Sequence, residues 1–219
     1  SLSDQFWEAF QASLESKEEL QLFRSASYFK MIRNFRRHSW LLLFLFGASP
    51  VLCESFLKDR EHQLQRLHGQ TLYLPHATSL RMSDLGYSNQ NQARINISLN
   101  SLDEYVHDLS AAICTPEPAY EKIGVRENGD YRQLNSNLLQ IENEYYSPVR
   151  PKRVARSGEQ PTAALRRDGI EYVEIRSLDI NPFDPAGINQ NTMRFIEAFL
   201  IYCAIEDSPK LDDASLEEI

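Results

Sequence analysis

The sequence predicts an α+β fold, and three features of its pattern support this class. The first quarter of the chain has helical periodicity, an Asn-Gly turn signal lies at residues 128 and 129, and residues 170–179 alternate as a strand does. Helices and strands are unevenly segregated, without the regular alternation of a doubly wound sheet. An α+β class is therefore favoured over a doubly wound α/β fold.

Two helices are predicted in the first quarter of the chain. Residues 2–14 have a short amphipathic pattern. Ser16 with Glu19 three residues later matches a capping box, which opens a longer helix. Gly47 followed by Pro50 predicts the end of that helix, because glycine favours the C-terminal cap and proline does not continue a helix.

A basic group on this long helix has two interpretations. Its members are Arg33, Arg36, Arg37 and His38. Together they could form a phosphate-binding face. On an amphipathic helix, however, such a group is more often the solvated side.

The middle of the chain predicts a surface segment, a helix and a hairpin. Residues 58–69 are charged, rich in glutamine and weakly periodic, which indicates a surface excursion. Ser101 and Glu104 form a second capping box ahead of an apolar stripe, so a helix is expected there. The Asn-Gly pair is the commonest two-residue hairpin signal, so residues 122–135 are expected to form a β-hairpin.

The last third of the chain predicts two helices separated by a strand. The helices cover residues 161–167 and residues 193–203, and the strand covers residues 170–179. Even-numbered residues of this strand share a face, so Glu174 and Arg176 project from the same side.

Composition excludes several classes of protein. The chain has 23 Lys and Arg against 31 Asp and Glu, and the net charge of -8 argues against a general nucleic-acid or anionic-membrane binder. The longest apolar run, residues 40–46, is far shorter than the roughly 20 residues of a membrane span. The 8 glycines form neither a Rossmann fingerprint nor a P-loop. Three widely spaced cysteines predict buried free thiols in a reducing compartment.

Two polar patches contain candidate anion-binding residues. In residues 78–87, the planar guanidinium of Arg81 suits a carboxylate or a phosphate, although a surface pair with Asp84 is the alternative. Residues 134–153 combine carboxylates, amides and tyrosines with a basic cluster. This second patch is consistent with a polyanion pocket and equally with a solvated loop.

A third patch lies on the predicted strand. Glu174 and Arg176 are about 6.6 Å apart along the backbone, close enough to share a ligand. Glutamate oxygens suit Mg²⁺, and arginine can neutralise charge on a transferred phosphoryl group. An exposed cross-strand ion pair is the alternative.

Together these patches resemble one enzyme family, the proteobacterial type of glutamate–cysteine ligase. The resemblance extends from Ser1 to about Asp207. The matching segments are LFGASP at 45–50, ATSLRMSDLGY at 77–87, QIENE at 140–144, PVRPKR at 148–153, RSGE at 156–159 and EYVEIRSLDINPF at 171–183. Motifs of this length in this order are specific.

The resemblance implies a ligase of the glutamine-synthetase-like superfamily that uses ATP and Mg²⁺ or Mn²⁺. Its fold would be a curved, largely antiparallel sheet with surrounding helices, incomplete in this chain. It would join the γ-carboxylate of L-glutamate to the amine of L-cysteine through an acyl phosphate, the first step of glutathione biosynthesis. The implied location is cytoplasmic, with no nucleic-acid or membrane partner.

The resemblance also implies a role for each matching residue. The implied roles are metal ligand for Glu174, phosphoryl contact for Arg176, substrate-carboxylate contact for Arg81, cysteine-pocket walls for Tyr87 and Tyr146, and nucleotide contacts for Arg150, Lys152 and Arg153. We expect Arg81 and the two tyrosines to converge on one pocket.

The chain departs from the family in length. Family members are more than twice as long, so residues 1–207 would be the central part of a single catalytic domain, with an acidic tail at residues 208–219. Most metal-binding carboxylates would lie outside this chain, which predicts that it is inactive alone and self-associates, whereas the parent is a monomer. A non-catalytic interaction module and a related carboxylate–amine ligase are the alternatives. Residues 58–70 do not fit the family pattern.

Overall fold

A computed structural model describes residues 17–57, 61–83, 85, 95–212 and 215 of the chain. Its helices are α1 (Lys17–Phe46), α2 (Leu102–Ala112), α3 (Pro118–Ile123), α4 (Pro161–Asp168) and α5 (Gln190–Ile205). Its strands are β1 (Val51–Cys53), β2 (Gln65–His68), β3 (Thr71–Tyr73), β4 (Arg126–Glu127), β5 (Asp130–Tyr131), β6 (Val149–Lys152) and β7 (Tyr172–Ile175). The predicted α+β class is confirmed.

The strands pair in small antiparallel sheets. Strand β3 lies between β1 and β2, β4 pairs with β5, and β6 pairs with β7. Within the described ranges these are three separate sheets and no closed sheet is formed, in agreement with the expectation that the sheet is incomplete in this chain.

Locally encoded elements agree with the sequence. The Ser101 hydroxyl accepts a hydrogen bond from the Glu104 N–H at 3.2 Å and caps α2. Asn128 and Gly129 have φ angles of 52° and 93°, as the predicted two-residue turn requires. The hairpin strands are shorter than the predicted range of 122–135, because residues 122 and 123 belong to α3 and pairing is confined to β4 and β5. Residues 2–14 and Ser16 lie outside the described residues, so the helix over 2–14 and the capping box at Ser16 stay predictions. Helix α1 ends ahead of Gly47 as predicted.

Other elements differ from the prediction in length or kind. The predicted strand over 170–179 ends at Ile175 in β7. Helix α5 begins at Gln190, because the Asn189 side chain caps it by accepting from the Thr192 N–H. Residues 61–69, the described part of the predicted surface excursion, are largely exposed and contain strand β2. The helix α3 was not predicted.

Gly47, directly after α1, lies where another part of the chain passes close to the backbone. A Cβ at this position would lie 2.6 Å from the Leu43 carbonyl oxygen and 2.7 Å from Thr78 backbone and side-chain carbons. The Thr78 hydroxyl donates to the same Leu43 oxygen at 2.7 Å, and the Gly47 N–H donates to it at 2.9 Å. The absence of a side chain at Gly47 therefore brings residues 47–49 beside residues 78–81.

The core forms where α1 packs against α5 and β6. Phe29, Ile32 and Phe35 of α1 are buried, and the ring of Phe35 meets Phe199 of α5 edge to face at 5.6 Å between centroids. Val149 of β6 belongs to the same buried cluster. This packing places β6 and β7 against the body of the protein.

Two members of the basic group of α1, Arg33 and Arg37, fit neither interpretation made from sequence. Arg33 is buried and donates to the Leu99 carbonyl and to the hydroxyl and carbonyl of Ser208, each at 3.1 Å. Arg37 donates to the Pro209 carbonyl at 2.7 Å. These two arginines therefore bind the segment that follows α5. The domain boundary predicted at residue 207 stays a prediction.

The cysteines differ from the sequence expectation in burial. Cys203 is buried, whereas Cys53 and Cys114 are exposed, and all three are free thiols. The prediction of buried thiols was therefore wrong for two of them, because apolar sequence neighbours do not ensure burial. Within the described part of the chain, no helix is both long enough and apolar enough to span a membrane.

Candidate active site

The β6–β7 pair places charged residues on one face. Arg150 lies directly opposite Glu174, and Lys152 lies opposite Tyr172. Cross-strand partners project to the same side of a sheet, so Arg150, Lys152 and Glu174 share a face. The Arg176 N–H donates to the Pro148 carbonyl at 2.8 Å, which extends the ladder beyond β7. Arg176 therefore follows Glu174 on this face, as the alternation predicted.

The guanidinium of Arg176 lies over the ring of Tyr146. Its central carbon is 4.9 Å from the ring centroid, within the range of a cation–π contact. The Tyr146 hydroxyl is itself held, because its single proton can be donated either to Met82 Sδ at 2.9 Å or to the Arg176 carbonyl at 3.3 Å. Among the described residues, no hydrogen bond or ion pair engages the Arg176 guanidinium. Its N–H donors are thus available to an anionic ligand.

Arg81 joins the same cluster from a distant part of the chain. Its Nε donates to Asp179 Oδ1 at 2.6 Å, and its Nη2 donates to the carbonyls of Arg176 at 3.1 Å and Leu178 at 2.7 Å. Arg81 and Tyr146 therefore meet at the Arg176 carbonyl, whereas their convergence with Tyr87 on one pocket stays a prediction. Asp84 and Tyr87 lie outside the described residues, so the predicted Tyr87 wall stays a prediction.

Asp179 is the residue of this cluster that the sequence reasoning missed. Burial alone would raise the pKa of Asp179, but hydrogen bonds from Arg81, Ser49 and the Ala48 N–H outweigh it and lower the pKa below its ordinary value. The signal for Asp179 in the sequence was an acidic residue at the end of a polar strand. Its partners, up to 131 residues away, could not be inferred from that signal.

Glu174 is only loosely paired. Its Oε2 lies 3.9 Å from Lys152 Nζ, and 42% of its side chain is exposed. An exposed pair of this kind contributes at most about 1 kcal/mol, so a ligand can displace it readily. The cross-strand ion pair that was the alternative for Glu174 is therefore observed with Lys152, and it does not exclude a metal-ligand role for Glu174. No cluster of three or more His, Cys, Asp or Glu side chains suited to a metal occurs in the described ranges.

The basic cluster at the end of β6 lines a cavity of about 280 Å³. Arg150 is 4% exposed, and its Nε has no hydrogen-bond partner among the described residues. Lys152 and Arg153 line the same cavity, and Arg153 also donates to the Gly169 carbonyl. The three predicted nucleotide contacts therefore lie together, with a buried guanidinium at their centre.

Another part of the second polar patch has a structural role. Glu142 is buried, and its two carboxylate oxygens accept from the Thr162 N–H at 2.8 Å and the Thr162 hydroxyl at 2.5 Å. Thr162 lies in the first turn of α4, whose backbone N–H groups have no partners within the helix. Glu142 thus caps a helix and is not positioned as a ligand of the cavity.

A larger cavity adjoins Asp179. Its volume is about 480 Å³, and its walls come from residues 45–50 and residues 178–192. Phe46, Pro50 and Leu178 make much of this wall apolar. Leu178, which lines this cavity, is two residues after Arg176 in the sequence. The cavity wall therefore follows Arg176 directly along the chain.

Comparison with known proteins gives consistent results. A family model described as glutamate–cysteine ligase matches residues 1–219. The chain is 56% identical over 213 residues to a glutamate–cysteine ligase of Hahella chejuensis, and 53% identical over 218 residues to one of Janthinobacterium sp. strain Marseille. The two alignments include 97% and 100% of this chain but only 41% of each relative. The chain thus spans less than half the length of these relatives.

Solved structures show the same relationship. A glutamate–cysteine ligase of Francisella tularensis in complex with AMP superposes with a TM-score of 0.84 at 40% identity, over 89% of this chain and 39% of that one. A bifunctional glutathione synthetase of Pasteurella multocida superposes with a TM-score of 0.62 at 28% identity, over 94% of this chain and 21% of that one. With a family model that matches the whole sequence, these likenesses show that the chain belongs to the glutamate–cysteine ligase family.

Proposed function

We propose that the complete protein carrying this chain joins the γ-carboxylate of L-glutamate to the amine of L-cysteine with consumption of ATP. The observation that supports this proposal is the guanidinium of Arg176, held over Tyr146 and without a protein anion among the described residues. It lies on the same face as Glu174 and the basic residues of β6. Such a face suits a substrate that carries phosphoryl and carboxylate groups.

In the proposed reaction, ATP transfers its γ-phosphoryl group to the glutamate γ-carboxylate, giving an acyl phosphate and ADP. The cysteine amine then attacks the acyl carbon, inorganic phosphate leaves and the amine loses a proton. Arg176 would donate hydrogen bonds to the transferred group while charge shifts onto its oxygens. A donor that needs no rearrangement at that moment stabilises the transition state more than the bound substrate.

The other site residues bind and orient in this proposal. Arg150, Lys152 and Arg153 would contact the nucleotide phosphates in their cavity. Tyr146 would form one wall of the cysteine pocket, and Tyr87 is proposed for another wall. Arg81 would contact a substrate carboxylate, and 26% of its side chain remains exposed although Asp179 holds its Nε.

Glu174 would supply one carboxylate ligand to Mg²⁺ or Mn²⁺. Its exposed carboxylate is the type of donor that Mg²⁺ prefers, but a single carboxylate does not complete such a site. A bound Mg²⁺ would neutralise charge on the phosphate oxygens. Use of ATP is supported by the AMP complex of the Francisella tularensis ligase. A cytoplasmic location and a monomeric parent stay predictions.

The test is turnover of the complete protein with ATP, L-glutamate and L-cysteine, before and after Arg176→Ala. We expect kcat/KM to fall by about 10²- to 10³-fold, the usual effect of removing a donor to a developing charge. Arg194 is an exposed arginine of α5, so Arg194→Ala is the matched control and should leave kcat/KM unchanged.

Product mass separates this proposal from a ligase for another amine, because γ-glutamylcysteine has a unique mass among such products. Absence of γ-glutamylcysteine in the parent reaction would refute the proposed function. A change of only a few-fold in Arg176→Ala would refute the role of Arg176 alone.

A further inference from the structure

We infer that Asp179 is a positioning residue that fixes Arg81 and, through it, the backbone of Arg176. This inference rests on the proposed function of Arg176 and extends it to a residue outside the ligand-contacting set. Asp179 lies three residues after Arg176, and its side chain is 3% exposed. It acts on the reaction through Arg81 rather than by touching a substrate.

The carboxylate of Asp179 is surrounded by donors. Its Oδ1 accepts from Arg81 Nε at 2.6 Å. Its Oδ2 accepts from the Ala48 N–H at 2.8 Å and from the Ser49 hydroxyl at 2.7 Å. Asp179 thereby joins the segment after α1 to the arginine of the 78–83 segment.

The donors around Asp179 require an anion rather than a neutral amide. In Asp179→Asn, the amide nitrogen would face either Arg81 Nε or the Ala48 N–H, and each of these is itself a donor. One of the two connections must therefore break. In either orientation Arg81 loses its anionic acceptor, so its hydrogen bond to residue 179 is either broken or weakened to one with a neutral amide.

Arg81 carries the effect from Asp179 to Arg176. Its Nη2 donates to the carbonyls of Arg176 and Leu178 at 3.1 and 2.7 Å. The remaining hydrogen bond to the Arg176 carbonyl comes from Tyr146 at 3.3 Å. Among the described residues, loss of the Arg81 contact would therefore leave Tyr146 as the donor to the Arg176 carbonyl, while the Arg176 N–H stays bonded to Pro148. With the carbonyl side less firmly held, we expect the guanidinium to move relative to the Tyr146 ring.

The consequence of such a movement is mainly a loss of kcat. Displacement of a reacting or charge-stabilising group by about 1 Å can cost about 10²-fold in rate. We expect Asp179→Asn to lower kcat by about 10- to 100-fold while the KM for ATP changes by less than about threefold, because the β6 cluster is not in contact with Asp179.

Asp184→Asn is the matched control. Asp184 lies in the same segment and accepts hydrogen bonds from Asn181 and Asn189, so its substitution disturbs local structure without touching Arg81. It should leave kcat within about twofold of the parent. An equal loss of kcat in both variants would overturn the inference.

A double variant separates positioning from loss of folded protein. If Asp179 acts through Arg176, then Asp179→Asn in the Arg176→Ala background should cause no further loss of turnover. If Asp179→Asn merely reduces the folded fraction, the two losses multiply, and that result would refute the inference. The assay is performed well below the melting temperature of each variant.

A crystal structure of the Asp179→Asn variant decides the inference independently of turnover. We expect the Arg176 guanidinium to leave the position 4.9 Å above the Tyr146 ring. An unchanged position would refute the inference even if the parent enzyme is active. An inactive parent with a displaced Arg176 would instead refute the proposed function and support the positioning role.

Discussion

Two regions of the molecule use arginine in opposite ways. In the seam between α1 and the segment after α5, Arg33 is buried and makes hydrogen bonds to Leu99, Asn100 and Ser208. On the β6–β7 face, Arg176 contacts the Tyr146 ring and makes no hydrogen bond to a described residue through its guanidinium. All three guanidinium nitrogens of Arg33 make hydrogen bonds within the protein, whereas Arg176 retains donors for a ligand.

The largest expected effect on stability comes from the seam between α1 and the segment after α5. Replacing Arg33 with Met removes the charge and four hydrogen bonds while keeping much of the side-chain volume. We expect the free energy of unfolding to fall by about 2–4 kcal/mol, because buried carbonyls of residues 99 and 208 lose their donor. Urea denaturation of the complete protein, followed by fluorescence, measures this loss.

Two further variants test the comparison directly. Arg194→Met, at an exposed position of α5, should change stability by less than about 0.5 kcal/mol. Arg176→Met should also change stability by less than about 1 kcal/mol, since the described contact of its guanidinium is a cation–π contact with Tyr146, which contributes little at an accessible site. A loss in Arg176→Met as large as that in Arg33→Met would break the distinction between the two regions.

Gly47→Ala should lower stability by an intermediate amount and should also reduce turnover, because it disturbs the support of the β6–β7 face. The added Cβ would lie 2.6 Å from the Leu43 carbonyl oxygen and 2.7 Å from Thr78, so backbone must shift. We expect a loss of about 1–3 kcal/mol, typical of overpacking. Because Ala48 and Ser49 bind Asp179, turnover of the complete protein should fall as well.

Gly69→Ala is the comparison variant for Gly47→Ala. Gly69 has a φ of 53° but open space around its added Cβ, so only backbone strain of about 1 kcal/mol is expected. Its turnover should match the parent. Equal losses of turnover in the two variants would show that the Gly47 contact does not support the site.

What the sequence predicted correctly was encoded within a few residues. Ser101 caps a helix three residues from Glu104, and Asn128-Gly129 supplies the positive φ angles of its own turn. The alternation of Glu174 and Arg176 on one face is local in the same way. Such features need no knowledge of distant partners.

What the sequence could not predict depends on contacts between distant segments. Arg81 pairs with Asp179, 98 residues away, a partner that its own sequence patch does not indicate. Helical periodicity likewise does not tell which segment will cover Arg33. Charged residues with similar sequence surroundings therefore reach structural or functional roles only through the tertiary fold.

The smallest expected effect concerns thiol reactivity, which measures how often the seam between α1 and the segment after α5 opens locally. Cys203 lies in α5 beneath the seam, and burial raises the pKa of its thiol to about 11. Cys53 is exposed, and a hydrogen bond from Ser55 lowers its pKa, so it is more readily a thiolate. Iodoacetamide labelling at pH 8, with peptide mass spectrometry to separate the sites, should therefore modify Cys53 fastest and Cys203 slowest.

The same labelling connects thiol reactivity to the arginine comparison. Asn34 donates to the Cys203 carbonyl at 3.0 Å, beside the hydrogen bonds of Arg33. Arg33→Met should loosen this seam and raise the labelling rate of Cys203 several-fold, while the rate at exposed Cys53 stays constant as an internal control. Arg176→Met should change neither rate. An increase at Cys203 in both variants would mean that the two regions open together, and the closed seam would then not be independent of the open face.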